Sequence, residues 1–305
     1  MGTTYSISIV KNSQTAMNKV KFQHEIDSLL FVFNSIFSTY SSSSEISKIN
    51  ADTSWFPLSV SGEFYQLLEE SQQMYYETGG KFDITIKPLI SLWSFDSEFS
   101  SEKIPMENAV NEALTQVGMD QIMLDKHTVL KNNPNVQFDM NAIAKGRGVD
   151  KIAHFLKSAG FQHFIVEIGG EVYASGVNKN NSFWKIGIKH PEEFSKDITA
   201  IAAFSNSGMA TSGTYQHFFN WEGKDYSHIL DPRTGWPVEH DLISATVIAE
   251  TCAKADAIAT ALIVMGFENA LHWIEQTEGV ECYLIRRDKE SRVLTAVHSK
   301  NFPLH

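Results

Sequence analysis

Polar and apolar residues alternate over 3–10, which predicts a half-buried strand. The period then changes. Val20, Phe22, Ile26, Leu29, Leu30, Phe33 and Phe37 recur near helical spacing, so residues 17–37 predict a helix. A serine-rich loop over 38–45 follows, and apolar patterning resumes over 46–50. Residues 62–78 predict a second helix, stopped at Gly79-Gly80, and helices follow at 107–117, 141–158 and 269–276. Short strands are expected at 122–124, 128–130 and 136–140, forming a meander. Strands at 164–168 and 171–174 are joined through Gly169-Gly170, a hairpin signal. Two more are expected at 184–189 and 198–204, then a loop over 205–214, an element at 215–221 and a turn-rich loop at 231–237. The strand expected at 242–249 feeds a helix over 251–266, and strands near 281–286 and 293–297 close the chain. Strand pairs interleaved with helices predict an α+β fold with largely antiparallel sheets and flanking helices. Without repeats or a low-complexity linker, residues 1–305 read as one compact domain of two lobes.

The helix over 251–266 is the most informative stretch. Thr251 suits an N-cap, Gly266 suits a stop, and the interior is rich in Ala, Leu, Ile and Met. Asp256 interrupts this apolar run, and Thr260 lies one turn further on the same face. Ala253, Ala257 and Ala261 surround the pair with small side chains. A buried carboxylate needs a partner. A hard cation such as Mg²⁺ is one, and a neighbouring loop or an Arg is another.

Composition narrows the class. The 305 residues are 43% hydrophobic and 20% charged, and the formal charge is −11. No basic face for a nucleic acid is implied. Cys252 and Cys282 have neither metal-type spacing nor a disulfide framework. No apolar run reaches the length of a membrane span. The start, Met1-Gly2-Thr3-Thr4-Tyr5, already reads as a strand, so the expectation is a cytoplasmic protein or one whose export segment has been removed.

Four further stretches carry candidate chemistry. In residues 138–148 a strand becomes a helix, with Asp139 and Asn141 at the junction and Lys145, Gly146 and Gly148 in its opening turn. That arrangement favours an anion, although a plain capped helix with a solvated Lys reads equally well. Its glycine spacing matches neither a Walker A loop nor a dinucleotide fingerprint. In residues 226–237, His228 precedes a rigid Pro/Gly loop and is placed to be held for proton transfer, while Asp231 and Arg233 can pair to brace the turn. Ser212 lies in a Gly-containing loop, but the Gly-x-Ser-x-Gly elbow of serine hydrolases is absent. Tyr40 and Phe82 sit in small-residue loops suited either to stacking on a flat ring or to ordinary packing.

In order along one chain these motifs become specific. Ser38-Thr39-Tyr40, Thr78-Gly79-Gly80-Lys81-Phe82-Asp83, residues 139–148, Glu167-Ile168-Gly169-Gly170, Thr211-Ser212-Gly213, residues 226–235 and Ala255-Asp256-Ala257-Ile258-Ala259-Thr260 closely resemble the ApbE family, the Mg²⁺-dependent FAD:protein FMN transferases. The resemblance runs from residue 1 to about residue 285. It implies Asp256, Thr260 and the backbone carbonyl of Ala142 as ligands of Mg²⁺. It implies Met1, Tyr40, Lys81, Phe82, Asp83, Asp139, Lys145 and Leu230 as the lining of a site for FAD, the substrate. It implies His228 as the group that assists the chemistry. Some members carry a second acid beside the metal Thr, where this chain has Ala259.

The implied reaction is attack by a Thr or Ser hydroxyl of a partner flavoprotein on the FMN phosphorus of FAD, releasing AMP. Family targets carry an Asp-Gly-x-Thr-Gly-Ala/Ser-Thr type sequence and include redox-pump subunits and reductases. Exported members are periplasmic lipoproteins, which implies membrane anchoring through a removed N-terminal lipid signal; a cytoplasmic location is the alternative. Two other activities stay open at this point. One is an Mg²⁺-dependent FAD pyrophosphatase, and the other is a flavin-binding protein without turnover.

Overall fold

A computed structural model describes residues 2–10, 19–95, 104–192, 197–214, 218–221, 224–288 and 290–305. Met1, Tyr215 and the charged segment at 96–103 lie outside them. In chain order the elements are β1 (Tyr5–Ile9), α1 (Lys19–Phe37), α2 (Glu45–Ala51), β2 (Leu58–Ser59), α3 (Gly62–Glu77), α4 (Lys87–Leu92) and α5 (Glu107–Leu114). Then come β3 (Ile122–Asp125), β4 (Thr128–Lys131), α6 (Ala144–Ser158), β5 (Phe164–Ile168), β6 (Glu171–Ser175), β7 (Trp184–Lys189) and β8 (Ile198–Phe204). The chain ends with β9 (Ser207–Gly213), β10 (Phe218–Trp221), β11 (Lys224–Ser227), β12 (Leu242–Ala249), α7 (Cys252–Met265), α8 (Phe267–Glu275), β13 (Glu281–Arg287) and β14 (Leu294–His298). The expected mixture of helices and antiparallel sheets is what forms. No described helix is long and apolar enough to cross a membrane.

The chain divides into two compact units. The first comprises Met1–Phe33, Ile143–Gln216 and His240–His305; the second comprises Asn34–Ala142 and His217–Glu239. In the first, one seven-stranded antiparallel sheet runs in the order β1-β5-β6-β9-β12-β13-β14. Helix α6 packs Val149, Ile152 and Leu156 with Phe164 and Val166 of β5, and Ile26 of α1 joins them. Ile188, Ala202 and Phe204 of the β7–β8 ribbon form another core with Met209, Ile243 and Ile285. Strand β12 is therefore buried along its whole length. Its sequence, Leu-Ile-Ser-Ala-Thr-Val-Ile-Ala, is a nearly continuous apolar run rather than an alternating one.

In the second unit, Leu89 of α4 and Trp93 just after it, Val110 and Ala113 of α5, and Tyr226 and Leu230 form the core. A three-stranded sheet, β2-β4-β3, and the β10–β11 hairpin belong to it. Lys131 at the end of β4 is 2% exposed, and its ammonium donates to the carbonyls of Ile49, Asp52 and Val136. That set of acceptors explains how a lysine tolerates burial.

Two predicted elements differ. The stretch 136–140 is not a strand of a meander; it forms only a single bridge between Ile86 and Gln137. The Asn50 side chain takes over the backbone groups of Phe138, accepting from its N–H at 2.7 Å and donating to its carbonyl at 2.8 Å. The region expected to be a loop, 205–214, contains β9 at the centre of the main sheet. Its small residues hid it. A Cβ on Gly208 would lie 2.6 Å from the Thr251 carbonyl carbon, so this strand needs glycine where α7 begins.

Candidate active site

In the first unit, α6 locks the N-terminal end of α7. The Asp150 carboxylate accepts the N–H groups of Cys252 and Ala253, each at 2.8 Å, and Thr251 caps α7 through Lys254 N–H. The helices meet at Gly146. A Cβ there would lie 2.6 Å from the Cys252 carbonyl carbon and 2.8 Å from Ala253 Cα. The close approach lets Gly146 N–H donate to Asp256 Oδ2 at 3.1 Å. Gly146→Ala is expected to cost about 3 kcal/mol by overpacking against backbone that cannot yield. Thermal denaturation checks it, and a wild-type Tm would remove the packing argument.

Asp256 is 3% exposed on α7. Burial raises its carboxyl above the ordinary value, against the pull of Lys145 and of Gly146 N–H. Thr260, one turn on, shares a 3.0 Å hydroxyl contact with Ser212 of β9. Thr211 and Thr246, paired across β9 and β12, share another at 2.8 Å. Lys145 at the start of α6 forms an ion pair with Glu171, the first residue of β6. Burial lowers the Lys145 ammonium, but Asp256 and Glu171 together outweigh it and hold its pKa above normal. Burial, followed by Asp256, pushes Glu171 up to about 7, with Lys145 opposing. The directions agree once the charges are counted: one ammonium faces two carboxylates.

The donors at Asp256 and Thr260 are hard oxygens, the type that suits Mg²⁺. Among the described residues no group of three or more His, Cys, Asp or Glu side chains forms a protein-only metal cage. A cation at Asp256 would therefore need its remaining ligands from hydroxyl, carbonyl, water or phosphate oxygens.

The second unit carries most of the other expected residues. Tyr40 stands 81% exposed at the tip of a loop built by Ser44, whose hydroxyl donates to Ser38 and Ser41 carbonyls. Gly79 and Gly80 both take positive φ, and Thr78 Oγ1 receives Phe82 N–H at 3.1 Å. Lys81 is half-buried, with Nζ donating to Thr78 carbonyl at 3.3 Å. Burial and then neighbouring Arg233 lower its pKa, while Asp231 opposes them. Phe82 and Asp83 point inward, 2% and 7% exposed. Asp139 is buried and accepts Asn141 N–H at 2.8 Å. Ala142 ends the first of this unit's two segments, four positions before Gly146 in the chain. The three turn residues 141–143 delay α6 to Ala144, later than the expected 141.

Asp83 Oδ1 accepts from Thr85 N–H at 2.7 Å and Thr85 Oγ1 at 2.6 Å, and that hydroxyl accepts from Gly118 N–H. The Asp83 carboxylate is thus an internal brace. Burial raises it from the ordinary 3.8 to about 6. A raised carboxyl favours the folded state below pH 3.8, and that contribution is lost as pH climbs through 6. Asp83→Asn keeps an acceptor for Thr85. It is expected to flatten the stability profile over that window, by about 3 kcal/mol at most. Urea denaturation at a series of pH values checks it; an unchanged profile would refute the assignment.

His228 is half-buried on the bend after β11. The following loop is anchored on Trp93, the residue that caps the end of α4. Trp93 Nε1 donates to the Gly235 carbonyl at 2.9 Å, Trp236 packs edge-on against Trp93, and buried Leu230 bridges to Pro237. Gly235, at φ +74°, leaves no room for a Cβ beside Val110 and Leu89. Arg233 holds both carboxylate oxygens of Asp231, with contacts of 2.9 and 2.6 Å. This is the brace that the sequence offered for Asp231 and Arg233.

Sequence reasoning overlooked Glu171. Its signal was a lone acid at the head of a strand whose five residues are all buried. Asp150 carried no local signal, because its partners lie about a hundred positions away.

The model of the ApbE family matches residues 1–284. An FAD:protein FMN transferase of Vibrio cholerae is 35% identical over 288 residues, covering 94% of this chain and 86% of the relative. One from Haemophilus influenzae is 36% identical over 294 residues, covering 94% and 85%. Among solved structures, the flavin transferase ApbE of Vibrio cholerae superposes with a TM-score of 0.89 at 33% identity, covering 99% of this chain and 95% of that one. The apo flavinyl transferase ApbE of Pseudomonas stutzeri gives 0.89 at 30% identity, covering 98% and 92%.

Proposed function

The chain belongs to the ApbE family and is a transferase, and on that premise we propose that it moves FMN from FAD to a Thr or Ser hydroxyl of a target flavoprotein, releasing AMP. The observation that carries this reading is Asp256, a buried carboxylate in an alanine-rich helix, with Thr260 one turn away and Lys145 acting on it. FAD is bound as substrate. Exposed Tyr40 offers a face for a flat ring, and Lys81 a positive charge. Inward-facing Phe82 and Asp83 hold the shape of the loop that carries Lys81.

In the transfer the acceptor oxygen forms a bond to the FMN phosphorus, and the pyrophosphate P–O bond to AMP breaks. The hydroxyl is a weak nucleophile, so His228 takes its proton as the new bond forms. Lys145 meets the negative charge that builds on the phosphate oxygens. Asp256 and Thr260 would hold Mg²⁺, which would supply further positive charge there. The acceptor carries an Asp-Gly-x-Thr-Gly-Ala/Ser-Thr type sequence.

The test is intact mass spectrometry of a flavoprotein domain bearing that sequence, incubated with this protein, FAD and Mg²⁺. An FMN mass added to the domain and abolished by EDTA is expected. An unchanged domain with Mg²⁺-dependent release of free FMN and AMP would replace the transferase reading by hydrolysis.

A further inference from the structure

The Lys145–Glu171 pair leaves one group unused. Glu171 is 2% exposed and its Oε1 takes the Lys145 ammonium. Its other oxygen, Oε2, is fully buried and has no hydrogen-bond partner among the described residues. A carboxylate oxygen left bare inside a protein carries the full cost of its lost hydration. The neighbourhood is not apolar by default, because Asp256 and Lys145 are the charges that act most strongly on Glu171. The backbone fixes the carboxylate firmly. Glu171 follows Gly169 and Gly170, both at positive φ, and is paired to Ile168 in the β5–β6 hairpin. Val172, the next residue, pairs with Met209 of β9, two positions before Thr211. An orphaned acceptor held this rigidly, on the same unit as Asp256, is built to receive a donor that the described residues do not supply.

We propose that Glu171 is a positioning residue of the transfer site: Oε1 holds Lys145 in place, and Oε2 accepts a hydrogen bond from water in the hydration shell of the cation bound at Asp256. The inference rests on the metal-dependent reading above. Magnesium keeps several of its waters when bound, and those waters are strong donors because the ion polarises them. Groups that orient ligands from outside the coordination shell typically change metal affinity by about 10-fold or more. Lys145 alone cannot do this, because an ammonium only donates. A carboxylate shared between an ammonium and a metal-bound water satisfies both of its oxygens.

The experiment titrates Mn²⁺ into the full chain, with free ion followed by its EPR signal, and separately titrates FAD in EDTA, followed by flavin fluorescence. In Glu171→Gln at unchanged Tm, Mn²⁺ binding is expected to weaken about tenfold. FAD binding in EDTA is expected to hold or tighten, because a negative charge near the pyrophosphate has been removed. A purely structural role would weaken both titrations together, and that result overturns the proposal. Mn²⁺ binding equal to wild type overturns it as well. Glu171→Asp keeps the charge but retracts both oxygens by one methylene, so it is also expected to lose Mn²⁺ affinity. Wild-type affinity in that variant would show that charge, not position, is what counts. Asp256→Asn separates the two levels of the argument: if wild type and this variant bind Mn²⁺ alike, the metal reading itself fails along with the inference.

Discussion

Asp256→Asn is expected to lower Mg²⁺-dependent FMN transfer by about three orders of magnitude, while the protein melts no lower than wild type in EDTA. The two effects have opposite origins. A metal that neutralises charge on a pyrophosphate contributes several kcal/mol to the transition state, and about 4 kcal/mol corresponds to that factor. Asparagine preserves an oxygen that can accept Gly146 N–H, now at 3.1 Å, but brings no charge for a cation. Stability runs the other way. Burial raises the Asp256 carboxyl, so its ionised form opposes folding once pH has climbed above its folded value. Removing the charge relieves that opposition in metal-free protein. Transfer rates at saturating FAD, with melting curves in EDTA and in Mg²⁺, check both halves. Wild-type turnover in the variant would sink the metal assignment.

His228→Ala is expected to slow transfer by about 10²–10⁴-fold, the usual contribution of a positioned general base. FAD affinity is expected to change by no more than about twofold, because the loop that presents His228 is anchored elsewhere. Its hold comes from Trp93 on the Gly235 carbonyl, from Leu230 in the core with Leu89 and Trp93, and from the Asp231–Arg233 brace. None of these contacts involves the imidazole. Single-turnover transfer measured beside equilibrium FAD binding separates the roles. Equal losses in both would make His228 a binding residue.

The elements that the sequence predicted well are those whose pattern is set by their own environment. Helix α7 kept its expected cap at Thr251 and its stop at Gly266, because cap chemistry and alanine-rich propensity are local. The β5–β6 hairpin followed from Gly169-Gly170, both at positive φ. Strand β9 was missed because its Gly208 answers to the start of α7, more than forty residues away. The stretch 136–140 reads as a strand by alternation, yet a single side chain, Asn50, satisfies Phe138 and takes it out of any sheet.

The sequence by itself determined the fold class, the antiparallel character of the sheets and the oddity of Asp256 among alanines. Its ordered motifs also determined the family, since spacing and residue type survive in one dimension. Only the tertiary structure decided what each charge faces. It set Lys145 against Glu171, gave Gly146 N–H to Asp256, turned the Asp83 carboxylate inward to Thr85 and committed Asp231 to Arg233. The physical reason is that a buried charge is governed by desolvation and by the few polar groups within reach. Those groups come from distant parts of the chain, joined by packing that no local pattern encodes.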